Sequence, residues 1–205
     1  MKTIQINANH FSRAIRICRK FLSRAGTAMA IDCKDMITIV AGGNPEQGFE
    51  ATFYASDGYR AVSYTVPVTK MEGNGFVAAI RNPVFTPKDG THVTIELGSR
   101  NRASFATLIY DEYGVTFRTR QDLKAIKHRL QTLKEAIEHA AKAEPKAEFH
   151  GNSRYIRSMM EAVETANLAY SLKQAPIAHL RVNDFPNPIF AEGRGVKAIV
   201  LPSRQ

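Results

Sequence analysis

The sequence of 205 residues has few cysteines and no long hydrophobic run. Its two cysteines, Cys18 and Cys33, form neither a CxxC pair nor a zinc-binding spacing, and two thiols are too few for a disulfide scaffold. We expect both to be reduced, buried and structural. The longest apolar stretches, 36–41 and 198–201, are far shorter than the roughly 18 residues of a membrane-spanning helix. Because no apolar signal segment follows Met1, the sequence predicts a cytoplasmic protein.

Recognisable catalytic and cofactor-binding motifs are also missing. The run GGNPEQG at 42–48 lacks the Lys and the Ser or Thr of a nucleotide-binding loop. The six histidines form no HxxxH or HExxH pair that would suit a metal. Carboxylates that could act as acid and base stand in predicted turns, where such residues are common. We therefore predict no catalytic residue, no metal and no cofactor, and we keep a hydrolase with a site at Asp57 or Asp111 as an alternative.

What the sequence does have is an ordinary globular composition with an excess of positive charge. Hydrophobic residues make up 44% and charged residues 23%. At roughly 150 residues per domain, the length allows one large domain or two compact ones. Lys and Arg number 28 against 19 Asp and Glu, so the net charge is +9. Such an excess favours phosphate-bearing partners, either nucleic acid or an anionic membrane surface.

Hydrophobic periodicity predicts an α+β fold. Three helices are expected, at about 9–24, 121–143 and from Asn152 or Ser153 to about 165. Asn7 or Asn9 would cap the first of them. Alternating patterns between turn signals predict strands at 2–7, 29–33, 36–40, 49–55, 61–66, 76–80, 92–97, 103–110, 115–119, 147–150, 168–172, 177–182 and 197–201. The order βαβββ occurs at 2–56 and again at 147–201, which suggests a repeated structural unit.

The first helix carries the clearest functional signal. Its apolar residues form a stripe within about 120° of the helix circumference, and the opposite face is basic with no acidic residue. The stripe consists of Phe11, Ala14, Ile15, Cys18, Phe21 and Leu22. Repulsion between like charges three or four residues apart would be relieved by an external anion. We interpret this face as one that follows DNA phosphates; a solvated face that aids solubility and an anionic-lipid surface remain alternatives. The basic residues are Arg13, Arg16, Arg19, Lys20 and Arg24.

The other two helices carry weaker versions of this signal, because acids are mixed with their bases. Their lesser candidates for DNA contact are Lys124 and Lys127 in the second helix and Arg154 and Arg157 in the third.

Two separate segments resemble bacterial DNA sliding clamps, the DNA polymerase III beta-subunit family. Residues 53–66 (FYASDGYRAVSYTV) resemble the clamp motif ATDGHRLA, and residues 198–205 (AIVLPSRQ) resemble the clamp C-terminus. Within the first motif, Asp57 can accept backbone N–H bonds and Gly58 can adopt a positive φ, as a tight turn requires. Residues 149–172 and 175–177 are similar to the last half-domain of a clamp.

The resemblance implies a sliding-clamp fold of βαβββ units whose helices line a central hole. Residues 1–120 would correspond to the clamp middle domain and 121–205 to a shortened C-terminal domain, in a short, divergent member of phage or mobile-element origin. Because clamp rings contain six domains, a chain of two needs three copies, a homotrimer. The sequence departs from the family after Ile80, where RNPVFTPKDG is too short and proline-rich for the second lining helix, and at 121–143, where one helix replaces a whole unit.

The implied function is that of a polymerase processivity factor, which encircles duplex DNA and tethers a polymerase. A clamp loader would be a further partner. The alternative is a clamp-derived regulator that forms no ring and binds DNA or host replication proteins. The family's apolar peptide pocket maps onto Gly58, Tyr59, Arg60, Ala61, Ile199, Leu201, Pro202, Ser203 and Arg204. Ala61 replaces the usual Leu, and Ser203 and Gln205 are more polar than usual, which would suit a different peptide.

Overall fold

A computed structural model describes most of the chain: residues 2–22, 36–73, 75–81, 92–100, 103–110, 113–119, 123–143, 152–167, 179–182, 188–193 and 195–201. The helices are α1 (Ala8–Arg19), α2 (Leu123–Lys142) and α3 (Ser153–Asn167). The strands are β1 (Lys2–Asn7), β2 (Met36–Asn44), β3 (Gly48–Ser56), β4 (Arg60–Val68), β5 (Lys70–Glu72), β6 (Phe76–Arg81), β7 (His92–Arg100), β8 (Ala103–Tyr110), β9 (Tyr113–Thr119), β10 (His179–Arg181), β11 (Ile189–Gly193) and β12 (Val196–Val200).

The predicted α+β class is confirmed, and most predicted elements are present with shifted ends. Two strands, β5 and β11, were not predicted. The strands predicted at 29–33, 147–150 and 168–172 lie outside the described residues. The first helix ends at Arg19, short of the predicted end near residue 24. After Arg19 the chain forms a 3-10 turn, in which hydrogen bonds join residues three apart, including Phe21 N–H to Cys18 C=O at 2.9 Å. This turn places Phe21 in the core.

The strands form two antiparallel sheets. One has five strands in the order β5-β1-β7-β8-β9, and the other has seven in the order β10-β11-β12-β4-β3-β2-β6. Helices α1 and α3 pack against each other and against the same face of the seven-stranded sheet, together with Val62 and Tyr64 of β4. Alternate residues of a strand point to opposite faces, and Ala61 packs against α2. Helix α2 therefore covers the outer face, opposite to α1 and α3.

Pairing between β4 and β12 joins the two parts of the chain in one sheet. Ala61 lies opposite Ile199 in this antiparallel pair. At the far end Thr65 N–H donates to Gly195 C=O at 2.8 Å. Gly195 has φ +81°, and a Cβ there would lie 2.9 Å from the Thr65 carbonyl oxygen, so this approach favours glycine. The predicted division at residue 120 stays a prediction; the seven-stranded sheet contains strands from both sides of it.

The described residues contain a buried thiol but no metal-binding group. Cys18 is fully buried in the core, as predicted, and burial raises the pKa of its thiol; Cys33 lies outside the described residues. Among the described residues, no three His, Cys, Asp or Glu side chains are grouped so that they could hold a metal. Over the same ranges, no helix is both long and apolar enough to cross a membrane.

Candidate nucleic-acid interface and partner surface

Helix α1 is positioned by its cap and by its apolar side. The Asn7 side chain accepts a hydrogen bond from Asn9 N–H at 3.0 Å, so Asn7 is the cap. Phe11 and Ile15 of the predicted apolar stripe are buried in the core. Ile17, which the stripe did not include, is fully buried as well, because α1 packs against α3 in addition to the sheet. The buried arc of the helix is therefore wider than its sequence pattern indicated.

The remaining side of α1 carries the basic residues. Arg16 and Arg19 are exposed, and Arg13 and Lys20 are half-buried. Residues 8–20 contain no acid. Arg24, the fifth predicted member, lies outside the described residues. The structure thus presents at least two guanidinium groups to solvent on the α1 side that faces away from the sheet.

Helix α3 adds both bases and an acid to this surface. Arg154 and Arg157 are exposed near its start, where Asn152 caps the helix by accepting from Arg154 N–H at 3.0 Å. Glu161 accepts from Lys20 Nζ at 2.9 Å and from Arg157 Nε at 3.1 Å. The hydrogen bond and charge of Lys20, followed by those of Arg157, lower the pKa of the Glu161 carboxyl. Lys20 and Arg157 are therefore already paired with a carboxylate.

Sequence reasoning did not find this pairing, since Glu161 is 141 residues from Lys20. Through Glu161, the structure brings Arg157 of α3 close to Lys20 at the end of α1. Lys124 and Lys127 belong to the start of α2, and their side chains lie outside the described part of that helix.

The turn between β3 and β4 has the geometry expected of its Asp-Gly sequence. Asp57 Oδ1 accepts from the backbone N–H groups of Tyr59 at 3.0 Å and Arg60 at 3.1 Å. Gly58 has φ +97°, a value that favours glycine. Asp57 Oδ2 pairs with Arg60 Nε at 2.8 Å, and both side chains are largely buried. This carboxylate therefore holds the turn and Arg60.

Arg60 points toward α1 and α3. Its Nη1 donates to Ser158 Oγ at 2.7 Å. The guanidinium carbon lies 4.8 Å from the centre of the Tyr155 ring and 5.5 Å from that of Phe21. Arg60 and Ala61, neighbours in the predicted pocket, consequently lie on opposite faces of the sheet.

Among the described members of the predicted pocket, two are covered and three are exposed: Ala61 and Ile199 are covered, and Gly58, Tyr59 and Leu201 are exposed. Ala61 and Ile199 pack side by side beneath Ile137 and Ala140 of α2. Tyr59 is 60% exposed, and Leu201 is 40% exposed. Leu201 N–H donates to Tyr59 C=O at 3.1 Å, so Tyr59 and Leu201 adjoin. Pro202, Ser203 and Arg204 lie outside the described residues.

A groove of about 490 Å³ opens beside α2 on the outer face. Its floor includes the Thr52 and Thr65 hydroxyls, which are 3.0 Å apart. Lys134 Nζ of α2 lies 5.9 Å from the centre of the Tyr54 ring, and burial raises the pKa of the Tyr54 hydroxyl. Sequence reasoning did not find this groove, because it is formed by segments that are far apart in the chain.

Comparison with known proteins supports the fold. No protein-family model and no curated protein sequence matches this chain. The DNA polymerase III subunit beta from Pseudomonas aeruginosa matches with a TM-score of 0.66 and 11% identity, over 99% of this chain and 66% of that one. The DNA polymerase sliding clamp from Bacillus subtilis matches with a TM-score of 0.64 and 10% identity, over 100% and 65%. A beta subunit from Thermotoga maritima gives 0.60 and 12%, over 100% and 65%.

The chain thus spans about two thirds of the length of the clamps that it resembles. It has the sliding-clamp fold, as the two sequence motifs predicted.

Proposed function

We propose that this chain is a DNA sliding clamp, a processivity factor that encircles duplex DNA as a homo-oligomeric ring and tethers a polymerase. The observation that carries the proposal is the acid-free basic side of α1, turned away from the sheet in a protein with the clamp fold. In this proposal Arg13, Arg16 and Arg19 contact phosphates. Arg24 and Arg154 assist them, while Lys20 and Arg157 contribute less because Glu161 already pairs with both.

The proposed mechanism is electrostatic and topological and needs no catalytic residue. Contacts to phosphate fix a protein on the duplex but carry no sequence information. Binding by a few such contacts weakens steeply with salt, because each contact releases condensed counterions. A protein held in this way can slide along DNA, and ring closure would keep it from dissociating.

Charge reversal on α1 tests the DNA contact. We expect Arg13→Glu with Arg16→Glu to weaken binding to a fluorescent duplex and to reduce the slope of log K against log salt by about 1.8, or about 0.9 for each phosphate contact. The matched control is Lys142→Glu with Lys197→Glu, which makes the same charge change at exposed residues of α2 and of the outward-facing side of β12. Equal losses in the two double variants would show that only net charge matters and would reject the α1 contact.

The oligomeric state tests the ring. Three copies of the chain supply the six domains of a clamp ring, so we expect a trimer by native mass spectrometry at micromolar concentration. The alternative is the regulator that forms no ring, and it is favoured by the position of α2 on the outer face. A monomer or dimer at every concentration would reject the three-copy ring and support the regulator.

The proposed polymerase and loader contact lies at the ends of β4 and β12, where Tyr59 and Leu201 are exposed. An exposed aromatic and an aliphatic side chain that adjoin can receive an apolar peptide. Leu201→Ala is expected to weaken polymerase capture and leave DNA binding unchanged.

A further inference from the structure

The outer face of the seven-stranded sheet has an apolar patch where three strands meet. Phe190 lies opposite Ile199, and Ile199 lies opposite Ala61, so the three residues form one row across β11, β12 and β4. The next outward-facing row is polar and consists of Glu192, Lys197 and Ser63. We call the row of Phe190, Ile199 and Ala61 the seam.

Over residues 130–143, where the side chains of helix α2 are described, the buried apolar residues are Leu130, Ile137 and Ala140. Ile137 and Ala140 are buried against the seam, and Leu133 is only partly buried. This cluster is separate from the main core, which holds α1 and α3. Beside Ile137 the groove of about 490 Å³ leaves one side of α2 unpacked. A helix that packs through a small cluster outside the main core opens at a lower free energy than the core elements do.

Two further contacts of α2 with the sheet involve charged side chains. Arg181 donates to the Ala141 carbonyl oxygen near the end of α2, and the Arg181 guanidinium lies 5.9 Å from the centre of the Phe190 ring. Lys134 lies over Tyr54 on the other side. Water can replace contacts of this kind when the helix leaves the sheet.

We propose that the seam is the docking surface for partner peptides and that α2 is its built-in, displaceable occupant. The fitting partner is an amphipathic peptide with two aliphatic side chains one helical turn apart, as Leu133 and Ile137 are in α2. This inference rests on the proposed function, because Ala61 and Ile199 of the seam belong to the proposed peptide pocket. Leu201 follows Ile199 on the same side of the strand and is 40% exposed, so a peptide can make its first contact there.

The expected consequence is a reduced apparent affinity for partners. A peptide that binds only the open form pays for opening, so its apparent dissociation constant is the intrinsic one divided by the open fraction. Any change that detaches α2 without unfolding the core therefore strengthens peptide binding.

The test uses a labelled synthetic peptide of residues 123–143 as the probe. Wild-type protein is compared with Ile137→Asp, which places a charge against the seam, and with His128→Asp, which places the same charge at an exposed position of α2. We expect Ile137→Asp to bind the probe at least about tenfold more tightly than wild type or His128→Asp does. This factor corresponds to a wild-type protein in which the closed form outnumbers the open form by at least about ten to one. A probe that itself carries Ile137→Asp is expected not to bind. Equal affinity of the three proteins would overturn the proposal.

Hydrogen exchange of the wild-type protein tests the opening of α2 independently of whether the Ile137→Asp variant folds. We expect amides of α2 to exchange faster than those of β4 and α1, and addition of the probe to leave α1 unchanged. Protection of α2 equal to that of β4 would mean that α2 opens only with global unfolding, which would also reject the proposal. DNA binding and probe binding are both measured for the Arg13→Glu, Arg16→Glu variant: unchanged DNA binding with probe binding intact would reject the DNA contact and leave the docking proposal standing.

Discussion

At the scale of single residues, Arg60 connects the β3–β4 turn with α3 and with Phe21, which follows the end of α1. Its guanidinium pairs with Asp57, donates to Ser158 and lies over the ring of Tyr155. A planar group with several donors can satisfy all of these contacts at once, whereas a lysine ammonium cannot. The ring of Tyr155 also stacks on that of Tyr59, with the ring centres 6.3 Å apart. The contact of Arg60 with Tyr155 therefore helps to position the exposed Tyr59 side chain.

Replacement of Arg60 by alanine is predicted to lower the free energy of unfolding substantially. Arg60→Ala leaves the largely buried Asp57 carboxylate without its charged partner, so we expect the free energy of unfolding to fall by about 2–4 kcal/mol in urea titrations. Arg16→Ala, at an exposed arginine of α1, is the control and is expected to change it by less than about 0.5 kcal/mol. A similar small change in both variants would contradict the structural role of Arg60.

His10 gives a second prediction at this scale, concerning pH. Burial, followed by the charge of Arg13, lowers the pKa of His10 from its ordinary value of 6.5. The folded protein therefore takes up the proton less readily than the unfolded chain does. The contribution of His10 to the free energy of unfolding is therefore fully present above pH 6.5 and is lost as the pH falls below that value. We expect His10→Gln to lose less stability than wild type when urea midpoints are compared just above and just below that pH; a larger loss would contradict the burial of a neutral imidazole.

At the scale of elements, the contact between α1 and α3 adjusts the charge of the proposed DNA surface. Helix α1 contributes basic residues and no acidic residue, and Glu161 of α3 places one carboxylate next to the end of α1. Exposed ion pairs of this kind add less than about 1 kcal/mol to stability. The larger effect of these ion pairs is that they reduce the number of basic side chains that can contact phosphate.

The predicted result is that Glu161→Gln strengthens DNA binding. Glu161 pairs with both Lys20 and Arg157, so the slope of log K against log salt should steepen by about 0.9 for each of the two that then contacts a phosphate. Glu164→Gln makes the same charge change at an exposed position of the same helix and is the control. Identical slopes for these two variants would show that neither Lys20 nor Arg157 reaches the DNA. Duplex titrations at several salt concentrations supply the slopes.

At the scale of the whole molecule, the seven-stranded sheet makes the two halves of the chain depend on each other. Strand β12 pairs with β4 along five residue positions, and α3 shares the core with α1. A fragment that ends at residue 120 loses α2, α3 and β10–β12, which exposes one edge of β4 and apolar side chains on both of its faces. Backbone groups of β4 that now pair would then face solvent.

We therefore predict that fragments 1–120 and 121–205 do not unfold cooperatively alone but regain a cooperative transition when mixed. Circular dichroism during heating measures this directly. If fragment 1–120 alone unfolds within a few degrees of the full chain, the division at residue 120 separates two independent folding units instead.

Local order could be predicted from the sequence because its causes act over a few residues. The apolar spacing predicted α1, alternation predicted β2, β3 and β4, and the Asp-Gly pair at 57–58 predicted a turn with the hydrogen bonds that the structure shows. Two short motifs also indicated the sliding-clamp fold, although matching clamp structures share only 10–14% identity with the chain.

Contacts between distant segments were decided only by the tertiary structure. Nothing within a few residues of Lys20 indicates Glu161, and nothing in 121–143 indicates that its apolar side covers Ala61 and Ile199. The direction of Arg60 likewise depends on which helices lie on each face of the sheet. The physical reason is that local hydrophobic periodicity determines which side of an element is buried, whereas the choice of neighbour depends on how the sheets and helices pack across the whole chain.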